Sequence, residues 1–474
     1  MGISAPHSIK DIEELKQAAA YVMQNGVDRI VSLATSIHAM GDLAHLADFV
    51  EKKAAVYWRD PKNGTEFFAF DTARSFEVKD GDPISLLREA YAQFAKNVWN
   101  QHKEDVRFFL SLPFYGGQVQ DKGFFAKWPF GWLLLPRYLV TKDSSGNVLF
   151  QENFYLDPQM ISAFNIEQAI THFVQMRDAF IQQAKNEMTL ETHSISQEND
   201  SLDKSTWENN VLEAIQTLQK GSLKKIVLAR HVTLTMSKKP VASAIIAKLR
   251  ARFTDSAVFV LFHHGSLFAG ASPERLVTVN QNNVDVDCLA GTASRSHSPE
   301  VDQRLGEQLL HSPKNREEHQ MVVDGIREEL AHVVRNLHIP DEPRLKKLSN
   351  VQHLYTPVTA QLLPTWDALS LLAKLHPTPA VAGLPKDKAV DYLIEHESWQ
   401  RGFYAAPIGF IDASGNLDCY VALRSALIEG KKAVLFAGAG ITKDSDPEME
   451  YIETEWKMNP MREALDDFSQ GKGV

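Results

Sequence analysis

The chain has 474 residues, 44% of them hydrophobic, so it can bury a large core as one big domain or two. A formal net charge of −10 argues against a nucleic-acid partner, which usually needs a basic surface. The two cysteines, Cys288 and Cys419, each sit in an apolar run, which excludes a disulfide framework or a zinc site.

Residues Met1 to Lys10 carry no apolar leader core, and no stretch approaches the roughly 20 apolar residues of a membrane span. A soluble, cytoplasmic chain without a membrane span is expected. The first part alternates helix and strand, with a helix near Ile12–Gln24, a strand over Val27–Ser36 and paired runs at Arg107–Leu112 and Gly131–Val140. Phe114-Tyr115-Gly116-Gly117 and Trp128-Pro129-Phe130 read as turns. A helix follows with Ile166, Ile170, Phe173, Met176 and Phe180 on one stripe.

The polar stretch from Asn186 to Ser205 reads as a linker. Ser205 and Glu208 form a capping-box pattern that opens the next helix. Residues 1–185 and 206–465 are therefore separable in sequence, although both can pack into one body.

Lys225–Arg230 reads as a strand with a lysine at its mouth, and Ala257–Phe262 with Leu267–Ala271 as a hairpin closing on Ser272-Pro273-Glu274. Val284–Ala290 runs into Gly291-Thr292, followed by a long helical stretch from Glu300 to about Val334 that carries Asn315, Glu318 and Val322 on one face. Ala406–Ile411 and Leu417–Ile428 read as a hairpin around Asp412–Asn416. An α+β sandwich is expected, not a TIM barrel or a doubly wound sheet. No Walker loop or Gly-x-Gly-x-x-Gly occurs, which argues against nucleotide cofactors.

Near the C-terminus, Ala433–Ala437 leads into a glycine turn at Gly438-Ala439-Gly440, and Asp446-Pro447 starts a helix. Glu450, Glu453 and Lys457 share one helical face. Two carboxylates there can hold Mg2+ together with an anionic substrate, and the same pattern suits a solvated Glu–Lys face.

The order of the motifs carries more than any one of them. Lys-Ile-Val-Leu-Ala-Arg from Lys225, Ser-Pro-Glu-Arg-Leu from Ser272, Leu-Ala-Gly-Thr-Ala-Ser-Arg from Leu289 and Lys-Asn-Arg-Glu-Glu-His from Lys314 come first. Leu-His-Pro-Thr-Pro-Ala from Leu375, Gly-Phe-Tyr-Ala-Ala-Pro-Ile-Gly from Gly402, Ala-Leu-Arg-Ser-Ala from Ala422 and the C-terminal glycine and glutamate segment follow. This series, over roughly residues 206–465, resembles the chorismate-utilising enzymes, a family of isochorismate, salicylate, anthranilate and aminodeoxychorismate synthases.

The resemblance implies a large sandwich of β-sheets flanked by helices, with the active site between the sheets. It implies Mg2+ held by Glu318 and Glu453, supported by Glu450. Substrate carboxylates are expected on Arg424, Lys457, the backbone at Gly438 and Gly440, and Gly291-Thr292, with His376 and His353 nearby. Chorismate is a dianion, so a metal ion would reverse the sign that bare glutamates present to it.

Ammonia-using relatives carry Gln where this chain has Lys225, and the amine-forming type carries Lys where it has Ala290. Lys225 is thus expected to act as the base that activates water, with Glu274 as the acid that protonates the departing ring hydroxyl. Ala380 resembles the isochorismate-synthase version of its segment, in which salicylate-forming relatives carry threonine. The longer N-terminal part is similar to the menaquinone-pathway form. The expected activity is conversion of chorismate to isochorismate without a glutamine amidotransferase subunit. Salicylate synthase and a siderophore-pathway isochorismate synthase are the alternatives.

Overall fold

The computed structural model describes residues 12–38, 40–50, 53–99, 106–115, 123–185, 194–348 and 351–466. The expectations for Met1–Lys10, for Gly116-Gly117 and for the first part of the linker lie outside these residues.

All described strands join one branched antiparallel sheet. One arm runs through Arg29–Ile37, Val148–Leu156, Gly131–Lys142, Glu66–Val78 and Ala55–Arg59. It continues through Ala257–His263, Ser266–Ser272, Ser425–Glu429 and Lys432–Ile441 to Lys225–Met236. The other arm branches from Gly131–Lys142 through Arg107–Ser111, Pro407–Asp412, Leu417–Val421, Arg275–Asn280 and Asn283–Ser294 to Val351–Leu362. Strands from the first 156 residues thus pair with strands from the rest.

The arms fold face to face, as sheets with one apolar side each must. Trp58 of one arm packs edge-on against Phe410 and Tyr420 of the other, with centroids 6.2 and 5.6 Å away. The outer face of the first arm is covered by the helices Ile12–Asn25, Ile166–Ala184, Ala242–Arg252 and Pro447–Leu465, forming a second core. Among the described residues no helix is long and apolar enough to cross a membrane.

Several local expectations need correction. The stretch from Glu300 is two helices, Pro299–His311 and Pro313–Leu330. Pro313 cannot donate to the preceding turn, and Ser312 accepts from the Asn315 amide (3.3 Å) to start the second helix. Helix Lys204–Gln219 is capped by Asp203, which accepts from the Thr206 amide (2.7 Å), so Ser205 is not the cap. Within the linker-like stretch, Ile195–Asp200 pairs with Lys225–Met236. The run Leu417–Ile428 is two strands broken before Ser425, because its halves pair in different arms.

Candidate active site

The glycines Gly438 and Gly440 lie within the strand Lys432–Ile441 and not in a turn, opposite Ala229 and Val227. Their lack of a side chain is used for close approach. A Cβ on Gly440 would lie 2.6 Å from Glu318 Oε1 and 2.7 Å from Lys225 Cε. One on Gly438 would meet the Leu228 carbonyl at 2.8 Å and the Tyr404 hydroxyl at 3.2 Å. The bare strand therefore lets a lysine, a glutamate and a tyrosine converge over it.

Lys225, only 1% exposed, points from its strand to an ion pair with Glu318 of helix Pro313–Leu330, Nζ to Oε1 2.9 Å. The last helix begins as expected, with Asp446 accepting from the Met449 amide (3.0 Å) and Pro447 first. One turn apart on it, Glu453 and Lys457 pair at 2.6 Å, and Lys457 also donates to the Gly438 carbonyl (2.8 Å). Behind them Glu450, 4% exposed, is held by Lys314 at 3.1 Å. Burial, then the charge of Glu453 and more weakly that of Glu318, push Glu450 up to about 7. Burial works the same way on Glu453, but Lys457 and Arg424 hold its carboxyl below the ordinary range.

Three carboxylates this close disfavour one another's charge, and oxygen donors of that kind fit a hard divalent cation. Among the described residues no three such groups form a complete protein cage. Two carboxylates completed by substrate and water oxygens are the usual arrangement for Mg2+.

On the opposite wall the Thr292 hydroxyl lies 3.4 Å from Glu453 Oε1 and 3.2 Å from His353 Nδ1. His353 Nδ1 is also 3.2 Å from the Gly291 carbonyl, and Arg424 Nη2 lies 3.4 Å from His353 Nε2. Burial, then Arg424 and Lys457, push His353 down to about 3, so the ring is neutral at pH 7. It can then donate from Nδ1 and accept from Arg424 at Nε2.

Arg424 stands at the crossing between the two arms with φ of 50°, and the adjoining wall residue Ala405 has φ of 59°. Left-handed backbone at a non-glycine residue costs about 1–3 kcal/mol and persists only where its surroundings fix it. Here the Ala405 amide donates to the Ala422 carbonyl at 3.0 Å.

Glu274 is 7% exposed, and burial pushes its carboxyl up to about 7, opposed first by Lys225 and reinforced by Asp287. A carboxyl near 7 can hold a proton at neutral pH and give it up in the same range.

One cavity is lined by Lys225, Glu274, Gly291, Thr292, Glu318, His353, Arg424, Gly438, Gly440, Glu453 and Lys457. Ala380 joins them. His376 does not: it is buried behind the wall, with Nε2 3.2 Å from the Phe114 carbonyl, so it supports a neighbouring layer. Tyr404 and Arg401 line the cavity as well and escaped the reading of single residues. The Gly-Phe-Tyr-Ala motif marked the segment, but nothing in it distinguished a cavity tyrosine from a core one.

Residues 13–466 match the chorismate binding enzyme family. The chain is 41% identical over 427 residues to the isochorismate synthase MenF of Bacillus subtilis, covering 86% of this chain and 87% of that protein. It is 44% identical over 263 residues to the salicylate biosynthesis isochorismate synthase of Pseudomonas aeruginosa, an alignment spanning 55% of this chain and 54% of that relative. The solved structure of MenF, the menaquinone-specific isochorismate synthase from Escherichia coli, superposes with a TM-score of 0.76 at 26% identity, covering 95% of this chain and 100% of that one. With a family match over nearly its whole length, the chain belongs to the chorismate binding enzymes.

Proposed function

We propose that this protein is an isochorismate synthase, an isomerase that adds water at C2 of chorismate and removes the C4 hydroxyl. The carrying observation is the pairing of a buried Lys225 with a Glu274 carboxyl raised to about 7 in one cavity. A water-adding enzyme needs a base and a separate acid of this kind. The likeness to an isochorismate synthase over 86% of the chain supports the same reading.

In this reading Lys225 is the base that takes a proton from water as its oxygen bonds to C2. The ring double bond shifts, and the C4–O bond breaks as Glu274 gives its proton to the departing hydroxyl, which leaves as water. One water enters and one leaves, so no redox cofactor is required. Arg424 and Lys457 hold the substrate carboxylates, with Thr292 and the backbone at Gly291, Gly438 and Gly440 orienting them. Glu318 and Glu453, supported by Glu450, would hold Mg2+, which would offset negative charge on the ring carboxylate.

We assign the reaction to menaquinone biosynthesis, because the sequence likeness to the Bacillus subtilis MenF covers 86% of this chain while that to the Pseudomonas relative covers 55%. Lys225 in place of the glutamine of ammonia users supports action without a glutamine amidotransferase subunit. Incubating the purified protein with chorismate and Mg2+ and separating the products tests this reading. Isochorismate without pyruvate is expected; salicylate with equimolar pyruvate would make it a salicylate synthase, and no conversion would overturn the proposal.

A further inference from the structure

In the cavity wall lies a buried ion pair, its arginine among the lining residues, for which the proposed reaction gives no role. Arg401 and Glu397, four residues apart, have side chains 1% and 4% exposed. Arg401 Nε donates to Glu397 Oε2 at 2.8 Å, and Nη2 closes a second bond to Oε1. A buried pair of this sort is weak evidence for stability, since apolar replacements of similar volume are often as stable. Its reason has to be sought in what else it touches.

The remaining donors reach two separate pieces of the cavity wall. Nη2 donates to the Val227 carbonyl at 2.6 Å, two residues along the strand from Lys225, and Nη1 to the Val381 carbonyl at 2.9 Å, next to Ala380. Glu397 Oε1 in turn accepts from the Ala229 amide at 3.1 Å. Residues 114 and 115 seal the pair from behind. The Phe114 ring lies 4.4 Å from the guanidinium carbon, and the Tyr115 hydroxyl donates to Glu397 Oε2 at 3.3 Å. A planar guanidinium with a fixed fork of donors can hold a carboxylate and two carbonyls at once, which an ammonium cannot.

We propose that the Arg401–Glu397 pair is a positioning device that ties the Lys225 strand to the Ala380–Val381 segment and so sets where the base meets the substrate ring. Lys225 and Val227 lie on the same face of their strand, so a shift at the Val227 carbonyl carries Lys225 with it. The Ala380 segment runs beside that strand, where the Val227 amide donates to the Ala382 carbonyl at 2.9 Å, so the clamp extends this backbone pairing up to the cavity and fixes the wall next to the base. Arg424 and Lys457, which hold the substrate in the proposed function on which this inference rests, stand on other elements.

The tests are Arg401→Lys and Glu397→Asp, read by kcat and KM for chorismate and by crystal structures without substrate. Arg401→Lys keeps the charge but loses the fork. Its kcat should fall about tenfold to a hundredfold, as for displacements of about 1 Å, with KM changed less than about threefold. A rise in KM alone would make Arg401 a direct substrate ligand and overturn the proposal. Native kcat and KM with lowered thermal stability would overturn it too, leaving a merely structural pair.

Should neither variant fold, Tyr115→Phe removes a single hydrogen bond to Glu397. A kcat lowered about twofold or more at unchanged KM supports the clamp, and a native kcat overturns it. If the wild-type protein does not convert chorismate, the proposed function fails. The crystal structure still decides the clamp: Lys225 Nζ drawn away from its 2.9 Å contact with Glu318 supports it, and an unmoved Lys225 strand overturns it.

Discussion

Lys225 Nζ lies 2.9 Å from Glu318 Oε1, so the proposed base rests in an ion pair with a proposed metal ligand. The two come from a strand and a helix far apart in sequence, and they meet because Gly440 between them has no side chain. Base and metal site are therefore mechanically joined, and substitutions at either should be felt at both.

Lys225→Ala should abolish turnover while chorismate still binds. The expected loss is ~100- to 10,000-fold in kcat, typical for removal of a general base. Arg424 and Lys457 are untouched, so calorimetry should find chorismate affinity within about tenfold of wild type. Near-native turnover at saturating Mg2+ would remove Lys225 from the role of base.

Glu318→Gln and Glu453→Gln should each weaken Mg2+ binding and be rescued only in part by excess metal. The amide keeps an oxygen donor but gives up the charge that offsets dehydration of a reluctant ion. Titrating Mg2+ by calorimetry in the presence of chorismate reads this directly. Unchanged metal affinity in both variants would leave the two glutamates as lysine partners only.

Motif order, together with the resemblance it carried, led to the charged and polar side chains of the cavity except Arg401 and Tyr404, because chemistry constrains side-chain type at those positions. Strand and helix limits were less legible. The glycine run at Gly438-Ala439-Gly440 reads as a turn from composition but is a strand, since the glycines serve close packing and not a change of direction. Arg424 is recognisable by type, while its left-handed backbone depends on a crossing between two sheets that no local pattern encodes. Arg401 and Glu397 lie just past the helix Lys386–His396 and carry no local signal; only tertiary burial distinguishes them. The same holds for His376, whose motif is visible but whose ring faces Phe114 from a distant segment.

Arg230→Met should destabilise the fold by about 3 kcal/mol or more, as when one partner of a buried network is removed. The Arg230 side chain is fully buried, donates to Thr454 Oγ1 at 2.8 Å, pairs with Asp200 and Glu455, and lies 4.2 Å from the Tyr451 ring centroid. It binds the final helix, with its glutamates and Lys457, to the strand that starts at Lys225. Urea unfolding monitored by tryptophan fluorescence measures the loss. A change within about 0.5 kcal/mol would show that the network is replaceable by packing.

Glu274 gives the clearest pH dependence. Burial raises its carboxyl to about 7 in the folded protein, while an unfolded chain returns it to about 4.3. Between those values the native state holds the proton and the unfolded state does not. The group's contribution to stability is therefore full below about 4.3 and is lost as pH rises through about 7. Glu274→Gln keeps a neutral side chain at every pH, so the variant should gain on wild type between pH 5 and pH 8, by on the order of 3 kcal/mol. Denaturant melts of both proteins at the two pH values measure this, other titrations cancelling in the difference. In activity the sign is the same: the acid must be protonated, so kcat/KM should fall on the alkaline side through about 7. Glu274→Gln should remove that limb with nearly all turnover. A variant with most of its activity and the same alkaline limb would place the proton donor elsewhere. A stability gap independent of pH would show that Glu274 does not titrate in this window.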